Sequence, residues 1–308
     1  MKTIVLHIGY PKTGTSSLQW FLNTHRESLR QQGVCYPVTG QVADHAHHQL
    51  AFSLGANDSQ QRGDERSHLF GELASEIQRC DADTVLLSSE VFLGNLERLQ
   101  QSTEFASILS GRVLHVICVV RRQATFLESL YRQFIWDPGV RFAEGPDAFV
   151  KAYPIAGDYH APLSMWAGWV GKENIVTVVY EQAQSGGGCI KHVCRLLGID
   201  TTKLPGADFD VRRNVAMASA LATEMMRTAN GYSHLSENER VELTRRAREF
   251  AEMTSHLRLP TKLFTPDQIA RIESRFLESN RRLADDFVHQ PLKGYWFREE
   301  LAEGGATV

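Results

Sequence analysis

The chain has 308 residues, 43% of them hydrophobic and 22% charged, with 33 Lys and Arg against 36 Asp and Glu. A formal net charge of -3 excludes broad, non-specific nucleic-acid binding, so an anionic ligand must be held by a local cluster of cations. No run approaches the roughly 20 apolar residues of a membrane span, and the apolar segment at the start is too short for a signal-peptide core. The five cysteines (Cys35, Cys80, Cys118, Cys189, Cys194) are scattered and free of C-x-x-C spacing, which suits a reducing compartment. The expected location is cytoplasmic.

Thr3–Ile8 is near-continuously apolar and reads as a strand buried on both faces. Gly9-Tyr10-Pro11-Lys12-Thr13-Gly14-Thr15-Ser16-Ser17 follows, and then a helical pattern with Leu18, Phe21 and Leu22 on one face. Strand, glycine-bearing turn and helix N-terminus make an anion site, because backbone N–H groups converge there and the helix dipole favours negative charge. The spacing nearly matches a Walker A loop, in which two glycines bracket four residues and Lys-Ser/Thr follows. Here Thr15-Ser16 follows Gly14, and the lysine sits inside the turn at Lys12. A lysine there leans over a shorter anion than a triphosphate, with the hydroxyls of Thr13, Thr15, Ser16 and Ser17 beside it.

Gln41–Arg66 is polar and reads as a long loop; it contains His45, His47 and His48. These three histidines lack the matched Cys or carboxylate spacing of a metal site, and no metal is expected. Leu69–Arg79 has a helical pattern, and Thr84–Ser88 is the second strand. Glu90 stands just beyond it, at the edge where parallel sheets bind ligands. It is either a general base or a carboxylate at the start of a helix over Val91–Leu99, with Ser88 or Ser89 sharing the cap. Val113–Val120 is the third strand; Arg121 follows it, and Ser129 comes eight residues later on a helix covering Thr125–Phe134. Arg with a hydroxyl can hold a phosphate by charge-assisted hydrogen bonds. Asn174–Val179 is a fourth strand, and Ser185–Gly188 is a turn before a helix at Ile190–Leu197. The alternation predicts an α/β fold, a parallel sheet covered by helices on both faces.

After Pro205 the pattern becomes helical. Ser236-Glu237-Asn238-Glu239 is a capping box, and Thr265-Pro266 opens a further helix with Ile269, Ile272, Phe276, Leu283 and Phe287 in one stripe. Residues 1–205 are read as the α/β core and 206–308 as a helical cap packed on it, forming a single domain.

Pro11–Ser17 resembles the 5′-phosphosulfate loop of sulfotransferases that use PAPS (3′-phosphoadenosine 5′-phosphosulfate). Arg121 and Ser129, followed by Tyr131, resemble the family's 3′-phosphate motif. Trp166, Trp169 and the run Asn174–Glu181 resemble its late strand ending in Tyr-Glu, so the resemblance spans roughly residues 4–200. It implies the P-loop-like sulfotransferase fold, with PAPS as co-substrate, PAP as product and Lys12 on the leaving group. Lys12, Thr13, Gly14, Thr15, Ser16, Ser17, Arg121 and Ser129 would bind the donor. Arg213 would join them if its basic turn closes on the 3′-phosphate, a match of position only. Relatives use a His or a Glu as base; Glu90 is the first choice here, and His48 or His47 the fallback. The implied acceptor is a hydroxyl or amine of a small molecule or glycan, the polar Gln41–Arg66 segment and Trp136 favouring a glycan-sized cleft. A nucleotide or small-molecule kinase is the rival enzyme, and a non-catalytic nucleotide-binding module the rival of another class. Oligomeric state is not legible.

Overall fold

The computed structural model describes residues 2–55, 60–204, 206–211, 219–257 and 261–288. Five strands, β1 (Thr3–His7), β2 (Val34–Cys35), β3 (Thr84–Ser88), β4 (Val113–Val120) and β5 (Ile175–Val179), form one sheet in the order β2-β3-β1-β4-β5. Every pairing in it is parallel. Between the strands run α1 (Thr15–Thr24), α2 (Arg26–Arg30), α3 (His48–Leu54), α4 (Gln60–Arg79), α5 (Leu96–Gln101) and α6 (Thr103–Leu109). These are followed by α7 (Gln123–Trp136), α8 (Pro146–Ala152), α9 (His160–Val170), α10 (Tyr180–Ser185) and α11 (Cys189–Leu196). Then come α12 (Ala220–Asn230), α13 (Glu237–Met253) and α14 (Pro266–Phe287).

The chain divides into two compact units, one holding residues 1–121, 159–214 and 279–308, the other 122–158 and 215–278. In the first, strand periodicity sorts the core. Val5, Leu86, Ile117, Val119 and Val178 pack with Leu18, Phe21 and Leu22 of α1 and with Ile190, Val193 and Cys194 of α11. The alternate residues Ile4, Leu6, Val85, Leu87, Val116 and Cys118 are buried too, so both faces of the sheet are covered. Continuous apolar strands follow from that double burial.

The second unit has an aromatic core. Tyr131 packs on Phe149 (5.2 Å between ring centroids) and Phe149 on Tyr153 (4.9 Å). Beside it Arg132 is buried, its guanidinium donating to Thr223 Oγ1 (2.8 Å) and to the Ser219 (3.3 Å) and Thr261 (2.8 Å) carbonyls. The Ser236–Glu239 capping box opens α13 as its sequence predicts.

Two segments differ from expectation. Gln41–Arg66 is not a continuous loop: it contains α3 and the first residues of α4. Only Leu50, Ala51 and Leu54 are buried in α3, one narrow stripe in a short polar stretch, and seven residues are too few for periodicity to stand out. Val91–Leu99 is not one helix but a 3₁₀ segment, Glu90–Asn95, followed by α5.

Arg132→Met would remove the guanidinium from the Thr261 carbonyl and the Glu128 carboxylate, while Thr223 Oγ1 keeps Trp136 Nε1 and the Ser219 carbonyl keeps Thr223. Unfolding free energy should fall by about 2–4 kcal/mol, read from the urea midpoint.

Candidate active site

Parallel pairing brings the carboxyl ends of β1, β3, β4 and β5 to one edge of the sheet, and the chemistry collects there. From β1 the chain runs into the Gly9–Ser17 loop, tied down by Ile8 N–H to the Ile117 carbonyl (3.0 Å) and Tyr10 N–H to the Val119 carbonyl (2.7 Å). Gly9 (φ 109°) and Gly14 (φ 86°) are left-handed, and so is Lys12 (φ 65°), an unusual conformation for a residue with a Cβ. A Cβ on Gly9 would stand 3.3 Å from Glu90 Cβ, so the loop and the end of β3 touch where only glycine fits. Thr13 Oγ1 donates to the Tyr10 carbonyl (2.6 Å) and fastens the turn from within.

The N–H groups of Lys12, Thr13, Gly14 and Thr15 donate to no acceptor among the described residues. Gly14 caps α1 without a side-chain bond. This leaves a cradle of main-chain donors at a helix N-terminus, a ready anion site. Lys12 Nζ makes no hydrogen bond or ion pair among the described residues. Burial lowers its ammonium from the ordinary 10.5, with the charge of Glu90 pulling the other way. Ser16 and Ser17 occupy the next positions of α1, half-buried.

Glu90 is the hub. Its Oε1 accepts from Thr15 Oγ1 (2.6 Å) and its Oε2 from Gln19 Nε2 (3.1 Å), four residues further along α1. Burial would raise this carboxyl. The hydrogen bonds from Thr15, its own backbone N–H and Gln19, with the field of His7, outweigh burial and hold it below its ordinary value. Gln19 Nε2 also reaches Ser88 Oγ (3.1 Å), which lies 2.7 Å from His7 Nδ1. The register explains this meeting: His7 stands opposite Ser88 on the sheet, and both follow the alternation of Val5 and Leu86 onto the α1 face. His7 and Gln19 are both 0% exposed, yet His7 Nε2 and Gln19 Oε1 have no partner among the described residues.

The two fallback histidines separate cleanly. Ser88 N–H donates to His47 Nδ1 (3.1 Å), so Nε2 carries the proton and donates to the Pro37 carbonyl (2.9 Å). His47 is fully buried and spent on joining its segment to β3. His48 begins α3, with Nδ1 2.7 Å from Ser89 Oγ and Nε2 3.8 Å from Glu90 Oε2 and 3.7 Å from Asp44 Oδ2. Ser89 Oγ also accepts Val91 N–H (3.2 Å) and still has one proton to give. Nε2 faces two carboxylates, so hydrogen on Nε2 is the arrangement electrostatics favours.

Arg121 ends β4 against the loop. Its Nη1 donates to the Lys12 carbonyl (2.9 Å), its guanidinium lies 5.0 Å from the Tyr180 ring centroid, and its buried Nε has no partner among the described residues. Tyr159, 0% exposed, donates to the Arg121 carbonyl (2.6 Å) and packs edge-on against Tyr10 (4.6 Å).

The sequence-predicted residues Lys12, Thr13, Gly14, Thr15, Ser16, Ser17, Glu90, His48 and Arg121 thus gather in the first unit. Ser129 is half-buried on α7 in the second unit, and Arg213 lies outside the described residues. Trp136 belongs to the second unit, where its Nε1 donates to Thr223 (3.2 Å). His7, Gln19 and Tyr159 were missed, and Ser88 was read only as a helix cap. Of these, His7 left a trace, as a histidine ending an apolar run. Among the described residues no group of three or more His, Cys, Asp or Glu could hold a metal ion, and no helix is long and apolar enough to cross a membrane. A separate groove of about 910 Å³ opens beside Arg26, Cys35, Glu76 and Cys80, and shares no residue with the loop.

Burial lowers His7 and His47 from 6.5 to about 4, opposed at His7 by Glu90 and at His47 by its bonds to Pro37 and Ser88. The unfolded chain takes up these protons first, so their contribution is complete above about pH 6.5 and is lost as pH falls toward 4. His47→Gln should flatten that loss by up to about 1.4 kcal/mol per pH unit, measured as urea midpoints across the range.

An uncharacterised protein of Archaeoglobus fulgidus is 29% identical over 205 residues, 66% of this chain and 53% of that protein, so the chain spans about half the length of that relative. Among solved structures, mouse sulfotransferase SULT7A1 complexed with PAP is similar at TM-score 0.44 and 15% identity, covering 91% of this chain and 84% of that one. A sulfotransferase from Alicyclobacillus acidocaldarius is similar at TM-score 0.42 and 15% identity, covering 74% and 94%. Assignment rests on none of these distant likenesses. The sequence model of the sulfotransferase domain matches residues 2–283, and by that match the chain belongs to the sulfotransferase domain family.

Proposed function

We propose that the chain transfers a sulfuryl group from PAPS to a hydroxyl or amine of a small molecule or glycan. The observation that carries this is the loop itself. Four main-chain N–H groups without acceptors among the described residues surround a lysine that has no ion-pair partner there, and Arg121 is tied to that lysine's carbonyl. This donor set suits a short dianionic group better than a triphosphate, since Thr15 stands where a Walker lysine would begin the helix.

In this reading the N–H groups of Thr13, Gly14 and Thr15 hold the 5′-phosphosulfate, joined by the Ser16 and Ser17 hydroxyls. Arg121, with its buried Nε to spare, meets the 3′-phosphate, and Ser129 and Arg213 would add to it. Glu90 is the base. The acceptor oxygen attacks sulfur, the bond from sulfur to the bridging oxygen breaks, and the acceptor proton passes to Glu90. Negative charge grows on the bridging oxygen of departing PAP, and Lys12 stabilises it; fixed cations and dipoles act strongly in such a site. A carboxylate held ionised can serve, because the hydroxyl becomes far more acidic once its oxygen bonds to sulfur. His48, whose Nε2 lies 3.8 Å from Glu90 Oε2, is the fallback base. The reading also places the protein in the cytoplasm.

Thermal shift should show strong stabilisation by PAP and little by AMP or ATP–Mg²⁺. Stabilisation by ATP–Mg²⁺ with none by PAP would sink the reading. Lys12→Ala should lower PAPS turnover at least about 100-fold while PAP still stabilises the fold. Glu90→Gln that keeps wild-type turnover would remove Glu90 from the base role.

A further inference from the structure

Thr15 presents a conflict of supply. A hydroxyl has one proton to donate, and at Thr15 it goes to Glu90 Oε1 at 2.6 Å, in a pocket where Thr15 is 4% exposed. The same hydroxyl would serve the donor if the loop used every side chain it offers. The main-chain N–H of Thr15, by contrast, has no acceptor among the described residues. Gln19 repeats the pattern one turn later. It is fully buried, and its amide nitrogen bridges Glu90 Oε2 and Ser88 Oγ, both at 3.1 Å. Thr15 and Gln19 are four apart on α1, so they form one row of that helix and meet the two oxygens of one carboxylate. The other titratable and charged groups around Glu90 are Lys12, His7, Tyr36 and His48, with Asp44 behind His48.

We propose that Thr15 and Gln19 are positioning residues of Glu90: hydroxyl and amide hold its two carboxylate oxygens in one orientation, and Thr15 meets the donor through its main-chain N–H alone. The proposal rests on Glu90 as base, and it adds that the first two turns of the donor helix aim that base. Ser88 completes the seat, because it holds the Gln19 amide from below and is itself held against His7.

The experiment has two readouts. The first follows the Glu90 side chain in ¹³C-glutamate-labelled protein by carboxyl NMR, its signal assigned by loss in Glu90→Gln, with PAP affinity measured by calorimetry on the same samples. The second is hydrolysis of PAPS with water as acceptor, giving kcat and KM across pH. Thr15→Val and Gln19→Met should each raise the Glu90 titration midpoint by roughly one unit. They should lower kcat about 10- to 100-fold with KM for PAPS and PAP affinity within about threefold of wild type. Thr15→Ser should restore both. A Thr15→Val protein that loses PAP affinity tenfold or more while Glu90 titrates unchanged would overturn the proposal, giving the hydroxyl to the donor. Unchanged hydrolysis in Glu90→Gln would instead overturn the base reading, while the NMR arm still tests the link from Thr15 and Gln19 to the carboxylate.

Discussion

A carboxylate taken out of water must be matched by donors or it will protonate, and at Glu90 the matching organises everything near it. Thr15 and Gln19 come from α1, His48 from α3, and the carboxylate itself from the end of β3. One half-buried anion therefore joins three elements at the sheet edge. The loop between β1 and α1 is held at both ends as a result, by strand hydrogen bonds on one side and by the Glu90 grip on the other. Lys12 then stands in a loop with little freedom to rearrange, and Arg121 braces its carbonyl from β4. Preorganised donors of this kind act without reorganisation cost at the moment charge develops.

The polar cluster beneath extends the same logic into the core. His7 and Ser88 replace apolar residues at the last positions of β1 and β3, where the α1 face would otherwise continue Val5 and Leu86. Buried polar groups are retained where their bonds are made, and here those bonds reach Glu90 through Gln19. His47 does comparable work on the neighbouring segment, where it joins the Pro37 carbonyl to the backbone of Ser88.

Much of this was legible from the sequence. Four of the five strands announce themselves because burial on both faces makes them continuous apolar runs; the two-residue β2 is too short to do so. The loop and Arg121 are legible because anion binding needs particular residue types at fixed spacing from a strand. The histidines were harder. His45, His47 and His48 look alike in a polar stretch, and only the fold shows that His47 is buried between Pro37 and Ser88 while His48 faces Glu90. Gln19 gave no signal at all, since a polar residue on an amphipathic helix reads as solvated until the facing strand proves to carry Ser88.

Gly9 bears on more than the shape of a turn. Its missing side chain is the space that lets the backbone of the loop lie against Glu90, 3.3 Å from where a Cβ would begin. Sequence change at either position is therefore hostage to the other: a larger residue at Gly9 displaces the carboxylate, and a relocated carboxylate leaves a gap under the loop. Phe52 on α3, one turn beyond His48, lies outside that contact and stands exposed.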